Sequence, residues 1–176
     1  MINTEVKTAK RHHGRQDLIG EHAWGDVGQL VLLLFFLLVW IWDSFVFYYS
    51  TFLSRVIALP LRMFIGGIFL LCAGYLARKG LAIIFGEVRE KATLVRKGVF
   101  SVVRHPIYLG AILIYVGLTV TTFSLAAGVI LLLIISFYYF IARYEEKLLQ
   151  QNFGWEYEKY KKEVPMLFPK LRKTNS

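Results

Sequence analysis

A chain of 176 residues that is 56% hydrophobic and carries a formal charge of +9 is too apolar for an ordinary soluble domain and short enough for one compact membrane domain. Its basic residues flank apolar runs, which fits an anionic membrane face; no nucleic-acid motif and no Gly-rich phosphate loop accompanies them, so no nucleic-acid partner is expected. The single cysteine, Cys72, lies inside an apolar run, supports neither a disulfide framework nor a cysteine-based metal site, and reads as a packing residue.

Residues 1–26 are polar and include Lys7, Lys10, Arg11, Arg15 and the pair His12-His13. They read as a cytoplasmic segment ahead of a membrane domain at 27–176. His12, His13 and His22 have no matching ligand set, so no metal is expected. The first apolar run starts only after Gly28, lacks a small-residue cleavage site and is too long for the apolar region of a secretory signal.

That run predicts a first membrane span near 29–49. Asp43 sits in it among Trp40, Trp42 and Phe45. The tryptophans suggest an interfacial aromatic belt at a helix end, whereas an acidic residue at membrane depth would be a functional candidate. Pro60 suits a helix start and predicts a second span near 61–77, with room to extend to Phe85.

Residues 107–142 hold no charge. They are too long for one span and suit two, near 107–121 and 125–142, with the break at Thr121-Thr122-Phe123-Ser124. Helices are required because a backbone in lipid must satisfy its own hydrogen bonds. The loop after the first span carries only Arg55 and, at its edge, Arg62, and the tip between the last two spans carries no basic residue. The other flanks are rich in Lys and Arg. Four spans with both termini cytoplasmic satisfy the positive-inside rule. The expected fold is therefore all-α and polytopic, with about four transmembrane helices, a C-terminal helical hairpin and an interfacial C-terminal helix.

Two hairpin arms of equal length return the chain to the face it left. Arg104-His105-Pro106 should then lie beside Arg143-Tyr144-Glu145-Glu146, at about 8–10 Å between packed helices. His105 and Tyr108 are three apart and share a face. Pro106 fits a first helical turn. Gly110 and Gly117 form a small-residue stripe that lets a helix or a flat ligand come close. Carboxylates at a helix C-terminus oppose its dipole, so Glu145 and Glu146 call for a cationic partner, either Arg143 or a ligand. Ordinary interfacial roles for Arg104, His105 and Pro106 stay open on this reasoning.

At these residues the chain resembles a known family. "LVRKGVFSVVRHPIYLG" is similar to the motif of the isoprenylcysteine carboxyl methyltransferase and phospholipid methyltransferase group of membrane enzymes. The match is carried by Gly98, Phe100, Arg104, His105, Pro106, Tyr108 and Gly110, then by Glu145, Glu146, Gly154, Tyr157, Tyr160, Val164 and Pro165. It covers about Leu94 to Pro169, and only the combined motif is specific. The resemblance implies an S-adenosylmethionine-dependent methyltransferase acting on a lipophilic or small membrane-adjacent acceptor, with the cofactor held at the cytoplasmic ends of the last helices. The residues it implies for cofactor binding are Arg104, His105, Pro106, Tyr108, Gly110, Glu145, Glu146, Tyr157 and Tyr160. It names no catalytic residue.

One position departs from the family's pattern. Members that methylate a prenylated cysteine carboxylate tend to carry Arg just before the Val-Pro; here Glu163 stands there. A carboxylate at that place would repel a carboxylate substrate and argues against prenylcysteine. The stripe Phe153, Tyr157, Tyr160 and Val164 predicts an amphipathic helix that serves either as a passive anchor or as a lid in which Tyr157 and Tyr160 line the cofactor. Two readings from other classes remain: a membrane sterol-reductase-like enzyme using NADPH, and a non-catalytic membrane subunit. A charge-free hairpin argues against transport.

Overall fold

A computed structural model describes residues 23–86 and 93–169. The polar N-terminal histidines and lysines, Arg89, Lys91 and the last basic residues from Lys170 onward lie outside the described residues. Within them the fold is all-α. Helix α1 spans Ala23–Ile41 and runs on as a π-helical turn over Trp42–Phe47, ending at Tyr48 with φ 55°. Helix α2 spans Leu59–Phe85, with Pro60 in its first turn, and so takes the longer of its two expected lengths. Helix α3 spans Pro106–Thr122 and helix α4 spans Leu125–Glu163.

Helix α4 does not stop at Ala142, where the expected span ends. Between Ala142 and Gly154 there is no glycine or proline, and it is Gly154, with φ of 49° and ψ of −121°, that breaks the helical path. Glycine tolerates that conformation because it has no Cβ to clash. At its start, Ser124 caps α4 by accepting from the Ala127 N–H at 3.0 Å.

Small residues at seven-residue spacing bring α2 and α3 together. Gly66, Ala73 and Gly80 of α2 are buried and face α3. A Cβ on Gly117 would sit 3.1 Å from the Gly66 carbonyl oxygen, and one on Gly110 would sit 3.2 Å from that of Ala73. Two helices therefore pack backbone to backbone, in the manner of small-residue membrane interfaces. Of the two partners that the Gly110–Gly117 stripe could admit, the structure supplies a helix.

Helix α1 covers the other side. Phe36 packs with Ile112, Tyr115, Ala127, Ile134 and Tyr138 in the main apolar cluster. At the turn end of the bundle, Asp43 accepts from the Ser50 N–H at 2.9 Å, the Ser50 hydroxyl at 2.5 Å and the Ser124 hydroxyl. Trp40 donates its indole N–H to Leu118 O and Thr122 Oγ1, each at 3.0 Å, and Arg62 donates to Thr121 O at 3.2 Å. Asp43 is thus a fastener between two turns.

The outer surface is apolar. Leu34, Leu38, Phe64, Leu71, Leu132 and Phe140 are all exposed, and a contiguous apolar exterior of this kind marks contact with lipid. Three helices among the described residues are long and apolar enough to cross a membrane by length and composition: Gly25–Phe47, Leu59–Phe85 and Leu125–Glu163. Cys72, expected in the packing, is exposed on α2; the buried face there is taken by Ala73 and the glycines.

Candidate functional site

The candidate site forms where the segment before α3 meets the far half of α4. Its scaffold is local. Val164 is extended (φ −118°, ψ 129°), as a residue before proline prefers, so Val164-Pro165 ends α4 and lays the chain across the start of α3. There the Arg104 N–H donates to Pro165 O at 2.9 Å and the His105 N–H donates to Met166 O at 3.1 Å. The second of these bonds satisfies the N-cap donor of α3, which a helix start leaves without an intrahelical partner. Tyr160 fastens the same region by donating its hydroxyl to Phe100 O at 2.5 Å.

Arg104 is the centre of the constellation. Its guanidinium donates through Nε to Glu146 Oε1 at 2.8 Å and pairs with it through Nη2 at 2.5 Å. Nη1 donates to Lys161 O at 2.8 Å and Val164 O at 2.7 Å. Both charged side chains are buried, at 7% and 3% exposure. A buried pair survives only if its geometry offsets the loss of water, and the two extra carbonyls supply that compensation. The cationic partner that the glutamate pair called for is therefore Arg104; Arg143, the expected intrahelical candidate, is exposed.

His105 lies between the two carboxylates. Nδ1 is 3.5 Å from Glu145 Oε2 and Nε2 is 3.5 Å from Glu146 Oε1. Burial opposes a charge on the ring, but the carboxylates outweigh it and raise its pKa above the ordinary histidine value. Glu146 lies past the charge-free stretch that ends at Ala142. Burial disfavours its charge, yet His105 and Arg104 overcome this and hold its carboxyl below the usual range. The His105 ring stacks on Tyr108, with centroids 5.6 Å apart and planes 4° apart, and Tyr108 donates its hydroxyl to Glu145.

Among the described residues, three buried polar atoms here make no hydrogen bond of ordinary distance and angle, although their groups lie close enough to interact with one another: His105 Nε2, Glu146 Oε2 and Tyr157 Oη. Lys161 Nζ approaches Glu146 Oε2 only to 4.0 Å. Buried polar atoms are nearly always hydrogen-bonded, so a cluster of unsatisfied ones signals a place where polar ligand atoms belong.

Of the nine residues expected at the site, Arg104, His105, Tyr108, Glu145, Glu146, Tyr157 and Tyr160 come together. Pro106 is buried and starts α3 next to Gly80. Gly110 faces α2. The aromatic stripe is turned inward: Tyr157, Tyr160 and Val164 are buried and pack with Leu94, Leu149 and Phe153. This removes the apolar face that a passive anchor would need. Gly154 makes the inward turn possible and leaves Trp155 outside, 77% exposed. Glu163 is not a free carboxylate, because Arg96 pairs with it at 2.5 Å; the argument from charge repulsion against a carboxylate substrate weakens accordingly.

Sequence reasoning missed Tyr138 and the Val164–Leu167 crossing. Tyr138 is buried, and its ring lies 5.4 Å from that of Tyr108. It stands seven residues before Glu145 on the same face of α4, a spacing that could have singled it out.

No curated protein and no solved structure matches the chain. A family model described as phospholipid methyltransferase matches residues 53–156. The match takes in α3, the Arg104-His105-Pro106 corner and the Glu145-Glu146 pair, and it covers more than half of the sequence. On that match, and with helices apolar enough for a bilayer, the chain belongs to the phospholipid methyltransferase family and is a membrane-associated methyltransferase that depends on S-adenosylmethionine.

Proposed function

We propose that the cofactor lies against Glu145, His105, Tyr108, Tyr157 and the inward carboxylate oxygen of Glu146, and that the acceptor is a lipophilic or membrane-adjacent molecule. The observation that carries this reading is the set of buried, unsatisfied atoms on His105, Glu146 and Tyr157. They fit the group. S-adenosylmethionine supplies an electrophilic methyl group, and it presents an ammonium, a carboxylate and ribose hydroxyls for recognition. Glu146 Oε2 and Glu145 are acceptors for the ammonium or the hydroxyls. A protonated His105 is a donor for the carboxylate. Arg104 and Tyr160 are positioning residues, since their polar groups are engaged within the protein. Pro106 and Gly110 act through the placement of α3. The residues contribute proximity, alignment and exclusion of water, which suffice for a direct displacement.

The membrane arrangement in this proposal has four spans, with α3 and α4 crossing as a hairpin and both chain ends and the site on the cytoplasmic side. Glu145 lies about 30 Å along α4 from Leu125 at 1.5 Å per residue, which is about the thickness of the hydrocarbon core. Such a position puts the carboxylates at the water boundary. Helix α3, with 17 residues, reaches about 25 Å and makes the shorter arm.

Calorimetric titration of the purified protein with S-adenosylhomocysteine is the test. Saturable binding that weakens about tenfold or more in Glu145→Gln and His105→Ala, a loss of about 1.4 kcal/mol, is expected. Wild-type affinity in both variants would remove the site.

A further inference from the structure

The far end of α4 places a cation at the edge of the polar cluster. Tyr157 and Lys161 stand one helical turn apart beyond Gly154 and so share a face. Both side chains come near Glu146. Lys161 Nζ lies 4.0 Å from Glu146 Oε2, past hydrogen-bond range. The two groups differ in setting, since the Glu146 side chain is 3% exposed and that of Lys161 is 42% exposed. The lysine stem therefore reaches from water toward a buried carboxylate oxygen that makes no ordinary hydrogen bond among the described residues.

A permanent ion pair with Glu146 is the plainer role for this lysine, and the geometry disfavours it. Glu146 Oε1 is already held by Arg104, at 2.8 Å from Nε and 2.5 Å from Nη2. A second, half-exposed partner at 4.0 Å adds little to that. Arg104 in turn is not free to meet a ligand, because its Nη1 also holds the Lys161 and Val164 carbonyls. His105 is shared between Glu145 and Glu146. Lys161 differs from both: among the described residues its ammonium approaches a carboxylate no closer than 4.0 Å.

We infer that Lys161 binds the carboxylate at the amino-acid end of the cofactor while Glu146 Oε2 takes the ammonium beside it. This rests on the cofactor placement proposed above. An α-amino acid carries its ammonium and its carboxylate on one carbon, so its recognition needs an acceptor and a cationic donor side by side but not bonded to each other. Glu146 Oε2 and Lys161 Nζ stand in that relation. A flexible four-carbon stem lets the ammonium turn to the ligand without moving the helix, and the Lys161 carbonyl stays on Arg104 whatever the side chain does. A protonated His105 gives the same carboxylate its second donor, and charge-assisted bonds of this kind are the stronger ones. The stretch of α4 after Gly154 then does more than cover the site: it selects a ligand that carries a complete amino-acid end.

The test is calorimetric titration with two thioethers, S-adenosylhomocysteine and the 3-aminopropyl thioether of 5′-deoxyadenosine, which lacks only the carboxylate. The wild type should bind the first more tightly. Lys161→Met keeps most of the stem and removes the ammonium. It should weaken S-adenosylhomocysteine about tenfold, the scale of one bond to a charged group, and bind the aminopropyl compound no more weakly than the wild type does. Lys161→Arg, which restores a cation, should keep most of the preference. Equal weakening of both ligands in Lys161→Met would mark a purely structural lysine and overturn the proposal, as would an unchanged affinity for S-adenosylhomocysteine. A wild type that binds neither thioether sinks the cofactor reading itself, so the two failures are told apart.

Discussion

Arg104 and Glu146 stand 42 positions apart in the chain, yet they form a buried ion pair with a shortest contact of 2.5 Å. The pair joins the segment before α3 to the far half of α4. It also holds the Lys161 and Val164 carbonyls through the same guanidinium.

Removing one partner leaves the other charge buried without compensation. Arg104→Ala or Glu146→Ala should therefore cost about 3–5 kcal/mol. The readout is thermal unfolding in detergent. Arg104→Lys should recover only part of the loss, because an ammonium cannot bond the carboxylate and both carbonyls with a planar fork.

The pH response has two limbs. The pKa of His105 is raised in the fold. Its contribution is complete below about pH 6.5, the ordinary histidine value, and is lost as pH climbs through the raised one. Glu146 is lowered. Its contribution is complete above about pH 4.3 and is lost as pH falls through the depressed value. Melting temperature should peak between these limits. His105→Gln should flatten the alkaline limb and leave the acid limb, which a melting series across pH would check.

Gly110→Leu places a branched side chain where α2 backbone lies 3.2 Å from a Cβ. The helices must separate or strain, at a cost of about 1–3 kcal/mol or more. Gly67→Ala serves as control, since nothing lies within 4 Å of a Cβ there. Unfolding temperatures of the two variants should diverge accordingly.

Asp43→Ala removes the acceptor shared by Ser50 and Ser124 and should cost about 1–3 kcal/mol. The residue lies at the turn end of the bundle, away from His105 and the glutamates. S-adenosylhomocysteine affinity measured below the melting transition should stay at the wild-type value, whereas Tyr108→Phe, which strips Glu145 of a donor, should weaken that affinity without a comparable drop in stability.

Much of the bundle was legible in the residues. Charge-free runs, Pro60 and Pro106, and the polar turn at Ser124 mark where helices start and return, and seven of the nine expected site residues meet. What stayed hidden was what depends on tertiary contact. Nothing local says that α4 continues past Ala142, because Arg143 to Gln150 is good helix sequence whether or not lipid surrounds it. The inward turn of Tyr157 and Tyr160 depends on a single glycine torsion at Gly154. The glutamates' partner, expected to be Arg143 or a ligand, is for Glu146 the sequence-distant Arg104, and only packing makes that pair.

The crossing of Val164 to Leu167 over the start of α3 sets an order of events. Ribosomes deliver those residues after helices α1 to α4, so a nascent chain with its helices complete still lacks the segment whose carbonyls accept from the Arg104 and His105 N–H groups. A product truncated before Val164 would leave Arg104 and His105 without the Val164, Pro165 and Met166 carbonyls that hold them. Activity in this scaffold is therefore gained only once the segment that follows α4 has been made.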